Sequence, residues 1–413
     1  MLVGLGEDLS EVRALIESAG YRLAREFVQR RTRPDARLFV GKGKLADLKA
    51  VVRESAVDAA VFAGTLRPSQ HYELEKALKV QCFDRLRVIL EIFTQRAHSR
   101  EARLQVELAM LQYEVPILRE WIHSATVGER PGFMAGGEYR VDAYYETVKR
   151  KMRKIRDELA AVRAERQLRR NHRQQRGFYS VSVAGYANAG KSSVFNALSG
   201  ERVLVDGRLF TSLSTTTRAL EGVKRRILVT DTVGFVRDVP LWLVEAFQST
   251  FEEVHASDLV LLLVDVSDSD DDILAKVQLA ADILLPGVAV DRILPVITKA
   301  DLVGSDRIER CVATFRASEF ARPPLVVSVR TGEGLNRLRD VIVQEFQYPI
   351  EVTVRVFQGD GAGAFLSWLH EETDVISTTP GGQDVELRLR CRDRDLPRIR
   401  TGARIVAGPT ATT

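Results

Sequence analysis

Residues 179–200 read YSVSVAGYANAGKSSVFNALSG. A run rich in Val, Ser and Ala leads into a loop bounded by two glycines, and the apolar spacing of SVFNAL carries the chain out of it as a helix. Within this stretch, GYANAGKS (Gly185–Ser192) matches the spacing G-x-x-x-x-G-K-[ST], in which successive backbone N–H groups turn inward around phosphate oxygens. Gly185 and Gly190 permit the turn, and the following helix adds the positive end of its dipole. Lys191 is placed to neutralise β- and γ-phosphates and the Ser192 hydroxyl to ligate Mg²⁺. Asn188, Ala189 and Ser193 complete the expected lining. A strand, a phosphate loop and a helix in this order imply a nucleoside triphosphate site on a mostly parallel α/β sheet with helices on both faces.

Four later segments extend the reading. LFTSLSTTTRA (209–219) is rich in hydroxyls, and a threonine here can bind Mg²⁺ and sense the γ-phosphate; spacing leaves Thr215, Thr216 and Thr217 open. The strand RILVTD ends in Asp231, suited to hold Mg²⁺ through its water shell, and the Gly234 N–H can meet the γ-phosphate. Phe235 follows, where a hydrolysing enzyme often has a glutamine that orients the attacking water. VITKAD (296–301) ends in Asp301, whose carboxylate can accept from both N1–H and N2–H₂ of guanine, a donor pair that adenine lacks. The stem of Lys299 can cover the base. Thr298 stands where Asn is commoner, and its short side chain is expected to reach less far towards the base and the phosphate loop. In VVSVRTGEGL (326–335), Ser328 and Val329 can offer backbone amides to guanine O6.

The remaining sequence sets the frame. With 413 residues, 45% of them hydrophobic and 28% charged, the chain is long enough for several ordinary globular domains. Cys82, Cys311 and Cys391 are too scattered for a disulfide framework or a metal site, which suits a reducing, cytoplasmic setting. No signal peptide is evident in MLVGLGEDLSEV, and LVLLLV (259–264) is too short to span a bilayer, so no membrane partner is expected. The net charge is only +4, yet Lys149–Arg176 holds twelve Lys or Arg against three acids, a pattern that favours a polyanionic partner.

Four domains are expected: an α/β unit over 1–95, a long helical pair over 96–176, the nucleotide-binding domain over 177–348 and a small α+β domain over 349–413. In the first, RLFVG (37–41) and DAAVFAG (58–64) read as strands and KLADLKAVVRES (44–55) as a helix. GKGK (41–44) lacks the spacing of a phosphate loop and reads as a turn into that helix. Leu104, Leu108, Leu111 and Val115 form one apolar stripe. Between the long helices, the glycine-rich loop IHSATVGERPGFMAGGEYR (122–140) presents Arg130, Phe133, Met134 and Tyr139, groups that suit RNA. EVTVRVF, GAFLSWLHEE and VELRLRC suggest strand, helix and strand at the C-terminus, with GPTATT as a frayed tail.

Taken together, the nucleotide motifs with FVGKGKLADL, VDAAVFAGTLRPSQHYELEKAL and FDRLRVILEIFTQRAHSREARLQVELAMLQYEVPIL resemble the HflX-type GTPases of the Obg–HflX group, over roughly residues 35–350. That resemblance implies a P-loop G domain preceded by a smaller α/β domain with two long helices. It also implies binding and slow hydrolysis of GTP with Mg²⁺, by a protein expected to be monomeric. The partner it implies is the large ribosomal subunit and its rRNA, met by the basic helix 149–176 and the loop 122–140, with ribosomes dissociated or silenced under stress. Alignment of LSTTTR with the family's LDPTTR favours Thr216 over its neighbours, joining Lys191 and Gly234 as the catalytic set. An apolar residue at position 235 is shared by the family, and Asn188 is similar to an asparagine that holds K⁺ in related GTPases. ERPGFMAGGEY departs from the family's usual loop and looks more like an archaeal variant. The rival reading is a non-hydrolysing, GTP-dependent switch for RNA or protein.

Overall fold

The computed structural model describes all residues except 7–8, 32, 56, 127–134, 201–215, 224–225, 233, 236–241, 244–247, 358, 360, 383 and 412–413. The chain parts into two compact units, Met1–Glu221 with Ile227–Gly334, and Gly222–Arg226 with Leu335–Thr413.

The first unit opens with a parallel sheet of β1 (Leu2–Gly4), β2 (Glu26–Val28), β3 (Ala59–Phe62) and β4 (Gln81–Asp84), in the order β2-β1-β3-β4. Helices α1 (Ser10–Ser18), α2 (Lys42–Glu54), α3 (Pro68–Leu78) and α4 (Arg85–Arg96) connect and cover it. Asp84 ends β4 and caps α4: its carboxylate accepts from Arg87 N at 2.8 Å, Leu66 N at 3.1 Å and Tyr113 Oη at 2.9 Å. Three donors make a fully buried carboxylate tolerable. RLFVG (37–41) is not a strand. It closes a turn bridged between Asp35 and Phe39, with Phe39 at φ 61° and its ring buried edge-on to Phe62. Its apolar residues are buried as a plug, without a ladder.

Two long helices follow, α5 (Arg100–Thr126) and α6 (Ala135–Gln175). Leu104, Leu108 and Leu111 of the expected stripe meet Met152, Ile155 and Leu159 of α6. The cross-helix ion pairs Lys151–Glu107, Arg100–Glu158 and Arg166–Glu101 run in opposite chain order, so the helices are antiparallel. The expected loop over 122–140 is shorter than its glycines suggest. Helix α5 reaches Thr126 and α6 begins at Ala135, because Gly136 and Gly137 fall in the first turn of a helix, where N–H groups need no intrahelical partner. Arg130, Phe133 and Met134 lie outside the described residues.

The nucleotide-binding part is a six-stranded sheet, β10-β9-β8-β5-β7-β6. It comprises β5 (Tyr179–Gly185), β6 (Thr216–Ala219), β7 (Ile227–Asp231), β8 (Leu259–Asp265), β9 (Ile293–Thr298) and β10 (Leu325–Val326). All neighbours are parallel except the β6–β7 pair. Helices α7 (Lys191–Ser199), α8 (Gln248–His255), α9 (Asp270–Leu284) and α10 (Ser305–Arg316) belong to it. Every residue of β8 is buried, as a central parallel strand covered on both faces requires. Among the described residues no helix is long and apolar enough to cross a membrane.

The second unit contains α11 (Leu335–Glu345), then β11 (Ile350–Phe357), α12 (Ala362–Glu372), β12 (Asp374–Gly381), β13 (Asp384–Cys391), α13 (Leu396–Gly402) and β14 (Arg404–Ala411). The order β12-β13-β11-β14, antiparallel throughout, is the split βαββαβ arrangement of ferredoxin-like domains. Val352, Val354, Val356, Leu387 and Leu389 bury one face with Leu369 and Ile399 of the helices. Strands β12 and β14 escaped the sequence reading because they are edges. Each carries a proline, which an edge tolerates, and β12 is mostly exposed. The tail expected to fray is in part a strand: Glu351 pairs with Thr410 and Ile350 with Ala411.

Candidate functional site

The segments singled out in the sequence converge at the carboxyl ends of β5, β7, β9 and β10, the edge where open parallel sheets bind ligands. The turn leaving β5 demands glycine. Gly185 has φ 147°, and a Cβ there would lie 2.4 Å from the Leu263 carbonyl oxygen of β8. Asn188 is left-handed at φ 66°, a conformation asparagine tolerates. Gly190, at φ 83°, precedes α7, whose first residues are Lys191, Ser192 and Ser193.

Lys191 is buried, and its Nζ donates to the Tyr186 carbonyl at 2.8 Å. Burial pushes its pKa down to about 8, with Asp231 pulling the other way. Ser192 Oγ donates to Asp231 Oδ2 at 2.8 Å. A hydroxyl and a carboxylate side by side are hard oxygen donors, the chemistry that magnesium takes. Thr216 is the strand partner of Asp231, whereas the hydroxyl of Thr217 lies 3.0 Å from that of Thr230. Geometry therefore sets Thr216 beside the magnesium-type donors, and Thr215 lies outside the described residues. A Cβ on Gly234 would fall 2.8 Å from Lys191 Nζ and 2.9 Å from Ala187 Cα, so this glycine lies against the phosphate loop.

Phe235 is not where a water would be aimed. Its N–H donates to the Gly185 carbonyl and its carbonyl accepts from Ala187 N, both at 2.9 Å, while its side chain is buried in the core. The residue is a structural stitch between the DTVGF segment and the phosphate loop, which the comparison with glutamine-bearing enzymes could not suggest.

At the far end, Thr298 corrects the expectation of a short reach. Its buried hydroxyl lies 2.9 Å from the Ala189 carbonyl and 3.1 Å from that of Val264, linking β9 to the phosphate loop. Lys299, at φ 58°, pairs with Asp265 at 2.6 Å. Asp301 accepts from Ser328 Oγ at 2.6 Å and pairs with Arg330 Nε at 2.6 Å. The Ser328 hydrogen bond, then Arg330, hold its carboxyl below the usual carboxylate range. Ser328 acts here through its side chain: the amide expected to face guanine O6 donates instead to the Glu333 carbonyl at 3.0 Å, and Val329 stands next to it. Arg330 was missed, and its one signal was its place two residues after Ser328. Tyr186 was missed too: its hydroxyl donates to Glu11 of α1 at 3.0 Å, and Arg85 pairs with the same carboxylate at 2.8 Å.

A phosphate loop, a hydroxyl–carboxylate pair beside it and an aspartate held for a two-donor base edge define a guanine-nucleotide P-loop domain, here joined to an α/β domain with a helical hairpin. Family models agree. One described as the N-terminal part of a GTP-binding GTPase matches 6–94, its middle region matches 96–173, and a 50S ribosome-binding GTPase model matches 180–296. The GTPase HflX of Methanocaldococcus jannaschii is 34% identical over 393 residues, 95% of each chain. That of Thermococcus kodakarensis is 43% identical over 295 residues, 71% of this chain and 66% of the relative. A crystal structure of an SsGBP–GDP complex superposes with a TM-score of 0.52 at 25% identity, covering 83% of this chain and 97% of that one. The chain belongs to the HflX family of GTPases, whose activity is the hydrolysis of GTP to GDP and phosphate.

Two outcomes follow from this geometry. Phe235→Gln puts an amide into the core and is expected to destabilise the protein by about 3 kcal/mol, read by chemical denaturation, without raising phosphate release. Nucleotide phosphates favour protonated Lys191, so its pKa rises on binding. Affinity for GDP should be level below pH 8, where the lysine is already charged, and should fall as pH rises above about 8 with proton uptake in calorimetry. Lys191→Ala should remove both the proton uptake and most of the affinity.

Proposed function

We propose that this GTPase binds GTP with Mg²⁺ in the cradle between β5, β7 and β9, hydrolyses it slowly, and uses nucleotide state to control association with the large ribosomal subunit. The observation that carries the reading is the meeting of Lys191, the Ser192–Asp231 pair and Gly234 around one loop, with Asp301 held at the opposite end. In this reading the amides of Asn188 and of Gly190 to Ser193 wrap the phosphates, Ala187 and Ala189 holding the turn by donating to Phe235 and Tyr186, and Lys191 neutralises charge on the β- and γ-phosphates. Ser192, Thr216 and, through water, Asp231 would hold Mg²⁺, which when bound offsets charge on the bridging phosphate oxygens. The Gly234 amide senses the γ-phosphate, Asp301 accepts from guanine, Lys299 covers the base, Thr298 braces the loop, and Ser328 and Val329 flank the base edge. Residue 235 is a buried phenylalanine, so orientation of the attacking water falls to another group, and slow intrinsic turnover follows. Asn188 would be the loop's side-chain ligand for K⁺, a cation able to stabilise charge developing on the phosphoryl group.

The ribosomal part rests on the 50S ribosome-binding description of the matched domain and on the charge of α6. Lys149, Arg150, Lys151 and Arg153 are on a part of that helix that is largely exposed, open to phosphates of rRNA. Dissociating or silencing ribosomes under stress would then be the use of a cytoplasmic, monomeric protein of this kind. Sedimentation with isolated large subunits tests the reading. Binding is expected to be strongest with a non-hydrolysable GTP analogue and weaker with GDP or no nucleotide; equal binding in all three would overturn it.

A further inference from the structure

Arg163, Arg166, Arg170 and Arg173 recur at three- or four-residue spacing and so share one face of α6. That face meets the last turn of α8, and together they line a cavity of about 300 Å³ with Glu252, Glu253 and His255. The charges across it are poorly matched in distance. Arg163 Nη1 stands 3.9 Å from Glu252 Oε1, Arg173 Nη2 3.9 Å from Glu253 Oε1, and Arg166 Nη1 3.5 Å from Glu253 Oε2. All three exceed the ~3.2 Å reach of an N–H···O hydrogen bond. Arg166 has a second partner in Glu101 of α5. Arg163 Nε and His255 Nε2 are buried with no hydrogen-bond partner among the described residues. Arg166 and Arg170 thus have partners in Glu101 and Gln167, whereas Arg163 and Arg173 face carboxylates that stand beyond hydrogen-bond range across the space. A phosphate group suits it: small, anionic, and able to accept paired N–H donors from arginine at shorter range.

The position matters as much as the charge. Helix α8 follows the DTVGF segment in the chain, and the residues just after it are fastened to the strand that feeds the phosphate loop. Ser257 Oγ lies 2.5 Å from Ser182 Oγ, and Asp258 Oδ2 accepts from Ser180 N at 2.7 Å. Whatever takes the arginines away from Glu252 and Glu253 therefore acts on the amino-terminal half of β5, the strand whose carboxyl end carries the phosphate loop.

We infer that the cavity between α6 and α8 is a phosphate-binding site, occupied in function by a backbone phosphate of RNA, and that Glu252 and Glu253 hold its arginines until the phosphate replaces them. The choice of RNA as source rests on the ribosomal reading above; the site itself rests on the cavity. Two probes separate these: a labelled single-stranded RNA followed by anisotropy, and inorganic phosphate followed by the thermal midpoint at constant ionic strength. Glu252→Gln with Glu253→Gln in the full chain should tighten RNA binding by about threefold or more and enlarge the phosphate-induced shift. Arg163→Gln with Arg173→Gln should weaken RNA binding, lower its salt slope by about 0.7, the share of one phosphate contact on a single strand, and abolish the phosphate shift. Lys149→Gln with Lys151→Gln should weaken RNA binding and leave the phosphate shift intact. A phosphate shift that responds to both pairs, without RNA binding, keeps the site, assigns it to free phosphate and counts against the ribosomal reading. The inference is overturned if the glutamate pair changes neither readout, an outcome that loss of folding in the arginine pair cannot imitate.

Discussion

The nucleotide site depends on one backbone approach, that of Gly185 to the carbonyl of Leu263. With a Cβ position only 2.4 Å from that oxygen, no other residue fits between β5 and β8 without parting them. Several features converge on the same turn. The Gly185 carbonyl receives Phe235 N, the Ala187 amide returns the bond to Phe235, and Tyr186 offers its carbonyl to Lys191. The turn thus places the phosphate loop, stitches the DTVGF segment to it and parks the lysine. Thr298 adds a brace from β9 through Ala189, so the loop is held from two sides; the Ala187 and Ala189 amides are engaged inside the turn, and those at the start of α7 face no intrahelical partner.

That economy explains Phe235. A glutamine here would be pulled between aiming water and filling the core, whereas phenylalanine serves packing alone while its backbone does the stitching. The links that leave the cradle are also polar and specific. Tyr186 reaches Glu11 and through it Arg85, joining the phosphate loop to the N-terminal sheet, and Lys276 stands 4.8 Å over the Tyr186 ring. A change in the loop therefore has a physical route into the N-terminal domain.

Much of the central domain was legible because its signals are local. A phosphate loop is eight residues in a row, and β8 is a continuous apolar run that only a buried strand explains. Features set by distant parts of the chain were not legible. Phe39 turns left-handed to plug the N-terminal sheet, which no period in RLFVG announces, and the role of Phe235 is set by its partners at 185 and 187. Arg330 matters because folding brings it to Asp301. Strands β12 and β14 carry prolines and exposed residues, so they read as turns until their partners are known. Thr298 reaches the phosphate loop at Ala189 despite its short side chain, a contact that depends on where folding sets the loop.

The account turns on Asp301 reading guanine at a site built around the Gly185 turn, and base exchange tests this most directly. Guanine offers two donors, N1–H and N2–H₂, to a carboxylate. Xanthine replaces the amino group with a carbonyl, which matches the donor and acceptor of a carboxamide. Calorimetric titration of Asp301→Asn with GDP and with xanthosine diphosphate should show GDP affinity falling by about 100-fold, the worth of roughly two charge-assisted hydrogen bonds, while xanthosine diphosphate gains. GDP binding unchanged in that variant would contradict the account.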